Sequence, residues 1–113
     1  PKRDTEFARH ILIEGKPLVC EGDAAIARIF EDYEKIRVLG LHSSINAPVL
    51  GADGRVAGVL NFLFSEQTVA PDRLRSACAV AAQAEIIAAL SLFNGAWAFT
   101  ARVPAPRADA ANS

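Results

Sequence analysis

The sequence predicts an α/β (α+β) fold: an antiparallel sheet with a long C-terminal helix on one face and a helical and loop lobe on the other. Two stretches carry the prediction. Residues 40–64, GLHSSINAPVLGADGRVAGVLNFLF, alternate in side-chain character around Asp53-Gly54, the strongest short-range hairpin signal. Residues 73–93 are rich in alanine and free of Gly and Pro. They lie between Pro71-Asp72 and Asn94-Gly95, the start and stop signals of a helix.

A two-residue turn centred on Asp53 and Gly54 sets the register, because strand side chains alternate with period two. One face then carries the pairs Ala52–Arg55, Leu50–Ala57, Pro48–Val59, Asn46–Asn61 and Ser44–Leu63. The other carries Ser43, Ile45, Ala47 and Val49 against Val56, Gly58, Leu60, Phe62 and Phe64. This second face is almost wholly apolar and must lie on a core. The first sets an asparagine opposite an asparagine. Buried amides need partners, so Asn46 and Asn61 bond each other, bond water, or receive a ligand.

The other elements follow from spacing. Asp4 or Thr5 caps a first helix with Phe7, Ala8, Ile11 and Leu12 at helical intervals, stopped by Gly15. Pro17-Leu18-Val19-Cys20 is a short edge strand, a place where proline is tolerated. Asp23 is the expected N-cap of a helix with Ile26, Ile29 and Phe30 on one side; Tyr33 and Ile36 continue the stripe after a break near Glu31-Asp32. Residues 96–103 read as either a strand or a last helical turn. Residues 1–103 make one domain, and residues 104–113 (PAPRADAANS) a flexible tail.

Composition excludes several classes. The chain has 113 residues, 51% of them hydrophobic, enough for one domain with a core. Twelve basic residues against thirteen acidic give a net charge of −1, with no basic patch to hold nucleic acid. Two cysteines far apart in sequence, and no leader after the charged Pro1-Lys2-Arg3-Asp4, point to a reducing, cytoplasmic setting. From Ser76 to Ala101 the only charge is Glu85, but Gln83, Glu85 and Asn94-Gly95 interrupt the run, so it reads as a buried helix and no membrane is expected.

The hairpin also resembles a family. Gly40-Leu41-His42-Ser43-Ser44-Ile45-Asn46-Ala47-Pro48-Val49, followed by Gly54-Arg55-Val56-Ala57-Gly58-Val59-Leu60, looks like the signature hairpin of GAF domains, which a closing helix follows. The resemblance covers roughly residues 4–93. It implies a small-molecule-binding sensory or regulatory module of the GAF kind, with terminal helices that commonly build a homodimer. The family's opening helix and first two strands lie before this stretch. One of those strands is central, so its absence implies either removed upstream residues or a neighbouring molecule at the bare sheet edge. The family's cyclic-nucleotide run, Asn-Lys-x-x-x-Phe-x-x-x-Asp-Glu, is missing, as is the cysteine beside a histidine of phytochrome-type members.

The candidate ligand site joins Ser44, Asn46 and Asn61 as polar anchors to an apolar roof of Phe30, Tyr33, Ile36 and Leu39, with His42 beside it. Pockets of this kind are mostly apolar with few convergent polar groups. The ligand is an unidentified small molecule, and no cofactor is named by the residues. His42 beside Ser43-Ser44 lacks a nucleophile elbow and an acid placed by motif, and two histidines in this spacing are no metal motif. Cys78 is expected as a small core residue and Cys20 as a half-buried edge residue. A non-catalytic regulatory module is therefore the first reading. The alternatives are a redox enzyme like the free methionine-R-sulfoxide reductases, using Cys20, and a dimerisation module with a vestigial pocket.

Assembly follows from the last helix. Leu74, Ala77, Ala81, Ala84 and Ala88 form a stripe suited to the sheet. Val80, Ile87 and Leu90, with Phe93 and Trp97 beyond, are left for a homodimer contact unless residues 96–103 fold back over them.

Overall fold

A computed structural model describes residues 7–90 and 97–104. Its centre is a four-stranded sheet in the order β1 (Leu18–Glu21), β2 (Ser43–Leu50), β3 (Val56–Phe64), β4 (Trp97–Arg102). The first three strands are antiparallel; β4 runs parallel to β3, so the sheet is mixed. The long helix α4 (Pro71–Leu90) lies on one face, chiefly against β2. The short helices α1 (Ala8–Ile13), α2 (Asp23–Ile29) and α3 (Tyr33–Val38) belong to the other side.

The hairpin pairs as expected over most of its length: Pro48 with Val59, Asn46 with Asn61, Ser44 with Leu63. The turn differs. Gly54 N–H bonds Gly51 O at 3.0 Å and Gly51 N–H bonds Arg55 O at 2.7 Å, which makes a three-residue loop of Ala52, Asp53 and Gly54. Only Gly54 takes positive φ (81°). A right-handed turn followed by one left-handed glycine is the usual three-residue solution. The extra loop residue shifts the register by one, and Leu50 pairs with Val56 instead of Ala57. A bulge at Ala57 then restores the register from Val49–Gly58 onward. The predicted Ala52–Arg55 and Leu50–Ala57 pairs are therefore not formed, and Val56 turns to the face of Leu50.

On the α4 side, Ala47, Val49, Leu60 and Ala81 are buried together, with Ala84, Ala88 and Trp97 against them. Ile45, Phe64 and Ala77 form a second group, joined by Leu74 and Val103. The small-residue stripe of α4 thus meets the sheet as expected, and Pro71 takes the first helical position. Cys78 is a correction: it is exposed on α4, since Ala77 and Ala81 take the positions facing the sheet. Leu90's side chain, Phe93, Asn94-Gly95, residues 105–113 and the Asp4 or Thr5 cap lie outside the described residues.

Residues 97–102 form a strand, the first of the two readings. β4 lies along the edge of β3 that the sequence left bare, so the chain itself supplies that neighbour. Gly58 lies under the Trp97 ring, the close approach its missing side chain permits.

On the other side, α1 forms but is wound wide: Glu14 N–H reaches back five residues to Arg9 O at 2.9 Å. Gly15, at φ 67°, ends it. Asp23 is the first residue of α2, not its cap; Gly22 holds the cap position and no side chain bonds there. Phe30 takes extended backbone and breaks α2 from α3 at the expected place.

Candidate functional site

The centre of the hairpin holds a row of polar side chains that crosses all four strands. Strand alternation puts Ser44 and Asn46 on one face of β2 and Asn61 opposite Asn46 on β3. Asn46 is fully buried and uses both ends of its amide. Its Oδ1 accepts from Ser44 Oγ at 3.0 Å and, more weakly, from Cys20 Sγ at 3.9 Å. Its Nδ2 donates to Asn61 Oδ1 at 2.7 Å. Asn61 Nδ2 passes the row on to Thr100 Oγ1 on β4 at 3.2 Å. The inner end, at Cys20, Ser44 and Asn46, is buried. The outer end, at half-buried Asn61 and exposed Thr100, meets solvent.

The apolar half of the site packs beside this row. Cys20, Ile26, Ile36, Leu41 and Leu63 are buried together, with Phe30 and Tyr33 against them. Cys20 belongs to both halves, through its contact with Asn46 and its place among the apolar side chains. It is 4% exposed, so the half-buried edge position expected for it is corrected: α2 and the lobe cover β1 on this face. Leu39 is 56% exposed and stands outside the cluster. A shallow cleft of about 120 Å3 opens next to Cys20, lined by Leu18, Val19, Ala25, Arg28 and Ile29.

His42 stands at the side, just before β2. Its Nδ1 lies 2.7 Å from Asp23 Oδ1 at the start of α2. The acid that the motif did not supply therefore comes from another element, 19 residues away in sequence. The neighbouring serines take no part in this pair. Ser44 Oγ donates its hydrogen bond to Asn46 Oδ1, and Ser43 Oγ is buried on the α4 side of the strand with no partner among the described residues. Near Asp23, Arg37 bonds Glu34 at 2.7 Å, and that hydrogen bond and charge raise the Arg37 pKa.

The structure thus brings together Ser44, Asn46 and Asn61 as one network and Phe30, Tyr33 and Ile36 as one apolar group. It leaves Leu39 and His42 apart from both. Thr100 and Asp23 were missed, because neither spacing nor motif links them to the hairpin. Among the described residues, no three His, Cys, Asp or Glu side chains gather closely enough to hold a metal. No helix among them is long and apolar enough to cross a membrane.

Comparison with known proteins adds one finding. No curated protein matches the chain, and no solved structure does. The GAF domain family matches residues 1–87, well over half of the 113, and takes in the hairpin, the polar row as far as Asn61 and most of α4. By that match, and by a sheet whose hairpin sits between a long helix and a helical lobe, the chain belongs to the GAF domain family.

Proposed function

We propose that this domain is a non-catalytic, cytoplasmic sensory module that binds a small molecule and signals through a homodimer. The observation that supports it best is the polar row. A carboxamide with one end fixed by buried Asn46 and the other offered at the solvent-facing end is a pre-positioned recognition group. A ligand at Asn61 replaces Thr100 as partner of Nδ2, with Ser44 and Asn46 holding the amide in place. Phe30, Tyr33 and Ile36 supply the apolar side.

Native mass spectrometry of freshly purified protein tests this, because it reports a retained molecule and the oligomeric state together. The expected result is a dimer carrying a small molecule that Asn61→Leu releases without unfolding. A ligand-free wild type, or a ligand retained equally by Asn61→Leu, overturns the site. The enzymatic alternative rests on Cys20, which is buried on Asn46 while Cys78 lies across the sheet. Reduction of free methionine sulfoxide by the wild type, lost in Cys20→Ser, decides in favour of the enzyme.

A further inference from the structure

Two departures from regular backbone meet at one place. The wide α1 turn ends at Gly15, and the Ala57 bulge turns Val56 to the face of Leu50. Between them lies a cleft of about 430 Å3, lined by Leu12, Ile13, Glu14, Leu50, Arg55 and Val56. That is the size of a small-molecule pocket. Bulges that re-aim a side chain and wide helical turns both gather at functional sites. Gly15 and Leu50 come together there: a Cβ built on Gly15 would stand 3.9 Å from Leu50 Cδ2. Ile13 is 81% exposed and Leu12 48%, large apolar surface for the mouth of a cleft.

The charges set the chemistry. Arg55 makes no side-chain ion pair among the described residues, and Glu14 has only a loose one, to Arg9 at 3.9 Å. An anion alone meets Glu14, and a cation alone meets Arg55. An uncharged molecule leaves both without a partner. We propose that this cleft is a second site, distinct from the polar row, for a small zwitterion with an aliphatic body. Its carboxylate pairs with Arg55 and its amine with Glu14. Leu12, Ile13, Leu50 and Val56 hold the body. Displacing Arg9 from Glu14 costs little, since exposed pairs contribute little.

The test is an amide-resolved NMR titration of the full chain with four probes of one length: 6-aminohexanoate, hexanoate, hexylamine and hexanol. The expected result is that 6-aminohexanoate shifts residues 12–15, 50 and 54–56, while the three others bind about threefold more weakly or worse, as loss of an exposed ion pair implies. Arg55→Gln and Glu14→Gln, both at exposed positions, each weaken 6-aminohexanoate about threefold and leave the remaining spectrum unchanged. No shifts at millimolar probe overturn the proposal. So do equal binding of hexanoate or hexylamine, shifts at Ser44 and Asn61 instead, or affinity unaltered in Arg55→Gln. Failure here leaves the polar-row reading standing, because ligand retention there is read independently through Asn61→Leu.

Discussion

The indole of Trp97 occupies the space that a side chain on Gly58 would need: a Cβ built there runs into Cδ2 and Cε2 of the ring. The contact joins the last strand to the hairpin and explains a glycine in the interior of a buried strand. Gly58→Ala must push the ring or the strand aside, at about 1–3 kcal/mol for an overpacked site. That corresponds to a fall in melting temperature of at least about 4 °C for a chain of this size. Trp97→Ala in the same background should recover part of the loss, because two residues in contact do not act additively. Thermal unfolding of the two single variants and the double variant decides it. Strict additivity would show that the two do not touch in solution.

Asn46 and Asn61 yield a second expectation. Asn46→Ala strands Asn61 Oδ1 and removes the acceptor of Ser44 and Cys20, so it should cost about 1–3 kcal/mol in urea unfolding. Asn61→Ala should cost less, since Asn61 is only half-buried. Replacing the pair by leucine and valine removes both amides together but still leaves the buried Ser44 Oγ without its acceptor, so it should cost less than Asn46→Ala without being neutral, while abolishing ligand retention. An Asn46→Ala protein as stable as the wild type would mean that the row is not formed.

How far the sequence spoke can be argued from these residues. Asn46 facing Asn61 was legible, although the turn was misread. The loop holds one residue more than a two-residue turn, and the bulge at Ala57 adds one back, so the two departures cancel beyond Val49. Parity, which fixes the face, survives. The position of Cys78 was not legible. A helix with small apolar residues all round gives no clear amphipathic signal for which side meets a sheet. Thr100 and Asp23 reach their partners across 39 and 19 residues, and no local pattern records such contacts.

Cys78 leads to a third prediction. In the native protein one thiol should react promptly with Ellman's reagent and be lost in Cys78→Ser. Cys20, at 4% exposure and bonded to Asn46, should react only on unfolding. Two equally fast thiols would place Cys20 at the surface and remove it from the site.

The homodimer is the fourth. From Ser76 to Ala89 the only charge on α4 is Glu85, and its exposed residues include Val80 at 46%, Ile86 at 64% and Ile87 at 71%. β4 folds back, and its Trp97 packs on the same core cluster as Ala84 and Ala88, yet Ile87 stays exposed. Ile87, Trp97 and Phe99 instead line a groove of about 630 Å3, and Phe99 is 64% exposed. Contiguous apolar surface of this kind marks an interface, and a two-fold contact lets one patch serve both chains. Burying one such side chain contributes about 2 kcal/mol. In a two-fold dimer each substitution counts twice, so Ile87→Lys should weaken association by roughly a thousandfold. Val80→Lys should act in the same direction by a smaller factor, because less of Val80 is exposed. Both positions are solvent-facing in the single chain, so neither lysine should unfold it. Sedimentation equilibrium reads the outcome directly. The expectation is a wild-type dimer in the micromolar range and a folded monomer for Ile87→Lys. A monomeric wild type, or lysine variants of unchanged mass, would end the idea.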